Sequence, residues 1–339
     1  MPTSTRKQPE PRVELANAVL RLDFDPRTSD TMYNYIHVRR PDSGRWERVY
    51  NFGVDVRVVQ AGKPQNEIPG GVINAIGMAL DLRVDGRRAT VRYPEPLVQY
   101  RQFDDKIGSA ETVRKYPDFT LAALPGLVHA DASAEFIYEL DASRPSFVVT
   151  GKALGGPITD ITCILDALWT DNHACPTHEY IEGFPEWDIA RPESVLARMV
   201  GVENVAFALF YRHDGNGLPF ALLPLEPGYG EIHNFYDNWK CDADFREASR
   251  NQAYCPERPV VTGCNDGGYF TRPKADGRFA GVRVAFFPEL AWLRGGSAHI
   301  LRERLVEAIR RDYFDAAASW DRYGKYLQPK LTLTGSIPR

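Results

Sequence analysis

The sequence predicts a mainly β protein, a large antiparallel β-sandwich with a helical segment at its C-terminal end. Three observations point there. Period-two alternation of apolar and polar residues recurs from Val13 onward, as half-buried strands require. Turn clusters rich in Asp, Gly, Asn and Pro separate these runs at short intervals. A convincing 3.6-residue periodicity appears only after residue 296, which places helix at the end of the chain and strands before it.

The elements follow in order. Residues 1–11 are polar, contain Arg6 and Lys7, and read as a flexible tail without the apolar core of a signal peptide. Val19, Leu20, Leu22 and Phe24 form a strand that stops at Asp25-Pro26-Arg27-Thr28-Ser29-Asp30, and Tyr33 to Val38 returns. Asp42-Ser43-Gly44 turns the chain into Trp46 to Tyr50, and Val54, Val56 and Val58 continue the alternation. Met78–Val84 and Ala89–Tyr93 flank Asp85-Gly86, a strong hairpin signal. Residues 102–120 read as a long charged loop. Ala134, Phe136, Tyr138 and Leu140 share one strand face, Phe147 to Lys152 pairs behind Pro145, and Ile158 to Leu165 has the composition of a buried strand.

In the second half, 205–212 and 218–225 form a hairpin about Asp214-Gly215-Asn216-Gly217. Tyr236 to Thr271 shows little periodicity and reads as an irregular excursion, with Asn265-Asp266-Gly267-Gly268 as a tight turn inside it. Gly281 to Pro288 returns to strand. Ser297 is a fair N-cap for a helix with Leu301, Leu305, Ala308, Ile309 and Tyr313 on one face, and 316–327 reads as a second helical stretch. The expected organisation is thus a tail (1–11), one β-sandwich catalytic domain (12–295) and a C-terminal helical segment (296–339).

Composition narrows the partners. The chain has 339 residues, with 41 basic against 45 acidic side chains and no block of like charge. Nucleic acid is therefore not expected, nor is an anionic membrane surface. No run approaches the length of a membrane span. The five cysteines, Cys163, Cys175, Cys241, Cys255 and Cys264, are odd in number and irregularly spaced, which fits a reduced, cytoplasmic setting.

Two stretches concentrate reactive groups. The first, Ala167 to Asp188, holds Trp169, Asn172, His173, Cys175, His178, Glu179, Glu182, Glu186 and Trp187. The second, Glu231 to Trp239, holds His233, Asn234, Tyr236 and Trp239. Imidazoles titrate near neutral pH and serve as general acids or bases when a carboxylate stands beside them. The expected catalytic set is His173, His178, Glu179, His233 and Tyr236. Trp169, Asn172, Trp187, Asn234, Trp239 and Arg272 are the expected substrate contacts, because aromatic faces and polar edges match the two surfaces of a sugar ring. His173-x-Cys175-x-x-His178 offers zinc-type ligands, but its spacing matches no strong zinc signature and Pro176 restricts convergence, so no metal is assigned. Asn265-Asp266-Gly267-Gly268 lacks the further ligands of a calcium loop. No phosphate-cradling loop, dinucleotide fingerprint or G-x-S-x-G elbow occurs, and no cofactor is expected.

Residues Val13 to Gly53, VELANAVLRLDFDPRTSDTMYNYIHVRRPDSGRWERVYNFG, carry a family resemblance. A short strand, a strand ending in an acidic and an aromatic residue, a Pro/Gly turn, and a strand entering the Ser43-Gly44-Arg45 turn are similar to the start of galactose-mutarotase-like super-sandwich domains. The resemblance implies a sugar-handling super-sandwich of the kind found in epimerases, glycoside hydrolases and polysaccharide lyases. The expected activity is cleavage of a glycosidic bond by general acid-base chemistry, through hydrolysis or β-elimination. An aldose 1-epimerase-like mutarotase is the alternative within the class. A non-catalytic sugar-binding or assembly protein, with copies associating through the C-terminal helix, is the alternative outside it.

Overall fold

The computed structural model describes residues 12–26, 34–58, 80–93, 97–99, 128–130, 132–156, 158–166, 178–181, 187–188, 200–203, 206–212, 217–226, 229–236, 265–291, 298–314 and 330–333. Along the chain the first strands are β1 (Val13–Ala16), β2 (Leu20–Phe24), β3 (Tyr35–Arg39), β4 (Trp46–Val58), β5 (Asp81–Asp85), β6 (Arg88–Tyr93) and β7 (Leu97–Gln99). Next come β8 (Val128–Ala130), β9 (Ser133–Leu140), β10 (Ser146–Gly155), β11 (Ile158–Asp166), β12 (His178–Ile181), β13 (Trp187–Asp188) and β14 (Val200–Glu203). The remainder are β15 (Ala208–Tyr211), β16 (Phe220–Pro224), β17 (Gly230–Tyr236), β18 (Asn265–Thr271), β19 (Arg278–Phe286) and β20 (Lys330–Leu333). Helix α1 spans Ala298–Tyr313.

These strands form two nine-stranded sheets and one small ribbon of β7 and β8. The first sheet runs β1-β2-β3-β4-β11-β18-β17-β14-β20, and the second runs β13-β12-β15-β16-β19-β10-β9-β6-β5. The expected antiparallel sandwich is what folds, and the hairpins at Asp85-Gly86 and between β15 and β16 lie where the turn residues placed them.

Alternation decides which residues meet between the sheets. From the first sheet, Leu22, Phe24, Ile36, Tyr50, Phe52, Val54, Cys163, Tyr269 and Ile232 turn inward; Phe136, Tyr138, Phe147, Phe210, Phe220 and Phe286 do so from the second. Phe24 and Phe52 meet Tyr138 edge-on at 5.2 and 5.5 Å, and Tyr50 meets Phe220 at 5.0 Å. Two phenols tie the layers without leaving a buried hydroxyl unpaired. Tyr50 Oη donates to the Leu218 carbonyl at 2.7 Å, and Tyr93 Oη donates to the Val54 carbonyl at 3.0 Å.

A second apolar cluster lies on the far face of the second sheet. Leu301, Leu305, Ala308 and Ile309 of α1 pack against Leu209, Tyr211, Ala221, Leu223 and Ala285. The two sides of β15 are thereby distinguished: Ala208 and Phe210 face the other sheet, Leu209 and Tyr211 face the helix.

One expectation is corrected. Asn265 to Thr271 is not a turn within an irregular excursion but β18, near the middle of the first sheet. Gly, Asn and Asp are depleted in strands, and here they are accommodated because β11 and β17 supply hydrogen bonds on both edges. Residues 102–120, 237–264 and 316–327 lie outside the described residues, as does Ser297.

Candidate functional site

Register places the predicted residues on faces. In β17, buried Ile232 belongs to the inter-sheet core. By strand alternation the positions of Glu231, His233 and Phe235 share one face of β17, and those of Asn234 and Tyr236 share the face of Ile232. The pairing with β18 runs without a shift from Gly230 to Tyr236, so no bulge disturbs this alternation.

β12 behaves differently. His178 pairs with Tyr211 and Glu179 with Phe210. His178 accordingly lies on the helix-bearing face of the second sheet, Glu179 on its inner face, and Trp187, paired with Glu179, on the inner face too. Arg302 of α1 lies 5.2 Å from the ring of Tyr180, two residues after His178 on the same face.

The predicted set thus divides three ways. His233 is on the outward face of the first sheet, His178 on the outward face of the second, and Glu179, Trp187, Asn234 and Tyr236 on the two inner faces. Packed sheets are separated by about 10 Å before side chains extend away on either side. His178 belongs to the second sheet, and His233 and Tyr236 belong to one strand of the first. Arg272 is exposed just beyond β18. Trp169, Asn172, His173, Cys175 and Trp239 lie outside the described residues. Among the described residues no group of three His, Cys, Asp or Glu could hold a metal ion, and Cys163 is buried in the inter-sheet core.

His233 has a distinctive setting. Its register partner in β14 is Gly201, and its partner in β18 is Gly268. Gly268 pairs with Ile164 of β11, which pairs with Gly53 of β4. One row across five strands therefore reads Gly201, His233, Gly268, Ile164, Gly53. Three of its five positions are glycines and have no side chain. Neighbouring strands are about 4.8 Å apart, and the row is roughly 19 Å long from β14 to β4. Beside it in register runs a second row, Glu203, Glu231, Phe270, Thr162, Asp55.

Further along the same face lies a cluster that sequence reasoning did not single out. His37 Nε2 is 2.8 Å from Asp23 Oδ2, and Arg21 Nε is 3.1 Å from Asp23 Oδ1. Tyr35 stands edge-on to His37 at 6.4 Å, with the guanidinium groups of Arg12 and Arg48 within 4.5 and 4.8 Å of its centroid. Arg21 also covers Trp46 at 5.4 Å. The signal was present in the alternation: Arg21 and Asp23 are the polar positions of β2, and Tyr35 and His37 their counterparts in β3. This network joins β2, β3 and β4 at one end of the sheet, and β4 also carries Gly53, the last position of the His233 row.

No family model matches the chain, and no curated protein matches it. Solved structures of similar fold include the α-N-acetylgalactosaminidase NagBb from Bifidobacterium bifidum in its GalNAc complex, with a TM-score of 0.46 and 11% identity over 88% of this chain. They also include a galactose mutarotase related enzyme from Lactobacillus acidophilus, with a TM-score of 0.40 and 10% identity over 81% of this chain and 97% of that one. A galactose mutarotase-like protein from Lactobacillus casei gives 0.37 and 9% over 81% of this chain and 99% of that one. The chain spans only 38% of the length of NagBb. At these values the likeness is weak and concerns fold alone, so it says nothing about individual residues. In fold, this chain resembles galactose-mutarotase-like proteins and a part of certain glycoside hydrolases.

Proposed function

We propose that the protein is carbohydrate-active and interconverts the anomers of a sugar on the outward face of the first sheet, with His233 and Glu231 as its acid-base pair. The observation that carries this reading is the register of β17. His233 and Glu231 lie on one face, two residues apart, about 7 Å between Cα atoms. The glycine on each side of His233 leaves room for a ring to lie against the sheet.

Anomer exchange needs only one such pair. One group removes the proton from the C1 hydroxyl while the other gives a proton to the ring oxygen, and the bond between C1 and that oxygen breaks. The open-chain aldehyde then turns about the C1–C2 bond and recloses by the reverse proton transfers. An imidazole and a carboxyl suit these roles near neutral pH. All groups on a sheet face approach a bound ring from one side, which satisfies this reaction.

β-Elimination is less well supported, since a base and an acid at His233 and Tyr236 would stand on opposite faces. Glycosidic-bond cleavage is a second reading with one specific observation in its favour. Glu203 and Glu231 are direct register partners, and glycosidases use paired carboxyl groups.

NMR exchange spectroscopy on galactose, glucose and N-acetylgalactosamine tests the proposal. The wild-type protein is expected to accelerate exchange between the α- and β-anomeric signals, and His233→Ala and Glu231→Gln should each lower the rate by about a hundredfold or more, in the range of a lost acid-base group. Release of new reducing ends from oligosaccharides, without anomer exchange, would move the assignment to cleavage. Undiminished exchange in both variants would refute the pair.

A further inference from the structure

We infer that the outward face of β1 to β4 binds an acidic oligosaccharide, whose carboxylates meet the guanidinium groups of Arg12 and Arg48 and whose sugar rings lie on Trp46. The saccharide half of this inference rests on the carbohydrate-active reading. Its acidic half stands on side chains at this end of the sheet and draws nothing from the His233 row.

Strand alternation brings the groups together. Leu20, Leu22 and Phe24 of β2 and Ile36 and Val38 of β3 fill the inter-sheet core, so Arg21, Asp23, Tyr35 and His37 face outward between them. Arg48 and Trp46 of β4 are the register partners of His37 and Arg39 and lie on the same face. Helix α1 packs on the far face of the other sheet and does not cover this one.

The cations of this patch are held by aromatic rings, which an ordinary solvated face does not require. The guanidinium carbons of Arg12 and Arg48 lie 4.5 and 4.8 Å from the centroid of Tyr35, and that of Arg21 lies 5.4 Å from the ring of Trp46. A freely turning arginine carries about 2 kcal/mol of rotamer entropy. Stacking orders its planar fork before a ligand arrives, which is the condition under which the fork adds affinity. A guanidinium has five N–H donors, so contacts within the protein do not exhaust it.

Charge complementarity selects the ligand. Among the described residues at this end of the face, Arg12, Arg21, Arg39 and Arg48 stand against Glu14 and Asp23, and the excess charge is positive. The Asp23 side chain is only 10% exposed, and its two oxygens face Arg21 Nε at 3.1 Å and His37 Nε2 at 2.8 Å. Glu14 lies 3.8 Å from Arg21. A ligand carboxylate matches the guanidinium fork in a bidentate pair. Trp46, 38% exposed, offers a flat surface to the apolar C–H face of a pyranose. Tyr35 and Arg39, the partner of Trp46, stand four residues apart on β3, so the two aromatic positions are about 13 Å apart along the strands. An oligosaccharide covers that span and a monosaccharide does not.

The test is isothermal titration with hexamers of galacturonate, glucuronate and mannuronate, each against its methyl ester, since esterification removes the charge and keeps the chain. Wild type is expected to bind one hexamer at least about tenfold more tightly than its ester, the worth of one charge-assisted hydrogen bond. Arg12→Gln and Arg48→Gln should each erase most of that preference at unchanged thermal unfolding, and Trp46→Ala should weaken acid and ester alike. Arg83→Gln, at an exposed arginine on β5 of the other sheet, should change nothing. Equal wild-type affinities for every hexamer and its ester would overturn the inference. So would a preference that survives both Gln variants, or one that falls equally in Arg83→Gln. Ester discrimination without anomer exchange would uphold this face and sink the His233 pair, while exchange without discrimination would do the reverse.

Discussion

Gly151 in β10 stands beneath the ring of Phe136, and a Cβ built there would come within 2.5 Å of that ring. Phe136 is fully buried in the main core, which restricts how far its ring can yield. Gly151→Ala is therefore expected to lower stability by roughly 1–3 kcal/mol, the usual cost of overpacking, measurable by urea denaturation. Tyr269 makes the opposite case. Its hydroxyl is buried and has no hydrogen-bond partner among the described residues. Burial pushes the phenol pKa upward, with the negative charge of Glu226 adding to the shift, so the group stays neutral at any ordinary pH. Tyr269→Phe removes a desolvated hydroxyl and is expected to leave stability unchanged or raise it by up to about 1 kcal/mol; a loss of 2 kcal/mol or more would show that the hydroxyl is paired. Neither feature is visible in sequence, because each depends on which side chain the opposite strand brings. The pairing of Glu231 with His233 was legible, because alternation within one strand needs only their spacing. The pairing of His178 with Tyr211 was not, because it depends on which distant strands the fold brings together.

The turn between β9 and β10 shows how one carboxylate organises an element boundary. Burial pushes the Asp141 carboxyl pKa upward, but the N–H groups of Ser143 and Arg144 donate to Oδ1 at 3.1 Å each, Arg283 adds positive charge, and the net shift is downward. A carboxylate with a lowered folded pKa contributes stability that is present above its unfolded pKa of about 3.9 and disappears as pH falls through the folded value. The stability difference between wild type and Asp141→Ala should accordingly be largest near neutral pH and shrink below about pH 4; a difference that grows in acid would contradict this account. The same corner anchors α1. Arg283 lies 3.6 Å from Asp141, Arg144 and Arg283 lie 5.4 and 5.6 Å from the ring of Tyr313, and burial pushes the Tyr313 phenol up to about 12. Leu305, fully buried at the helix–sheet contact, should cost about 2–5 kcal/mol when replaced by alanine, in thermal or urea unfolding. This helix was readable from its apolar spacing and its charged opposite face. β18 was not, because Asn-Asp-Gly-Gly carries turn chemistry in isolation and becomes a strand only between two neighbours.

The two sheets have unlike outer faces. That of the second sheet is covered by α1 and buries an apolar cluster, so its chemistry is packing. That of the first carries the Asp23–His37–Arg21 network at one end and the glycine-rich His233 row across its middle. The sandwich itself was legible because alternation and turn residues act locally. The row proposed as its site was only half legible, since Gly53, Gly201 and Gly268 lie on strands separated by long stretches of chain, and only register aligns them. The central claim is that this row receives the sugar. Filling it decides the matter: Gly201→Val and Gly268→Val put β-branched residues, which strands favour, at the register positions on either side of His233. Isothermal titration with the best-bound sugar, alongside thermal unfolding, is the measurement. Unfolding is expected to stay within a few degrees of wild type while each variant loses sugar binding by at least tenfold. Wild-type affinity in both variants, at unchanged stability, would contradict the placement of the site on this face.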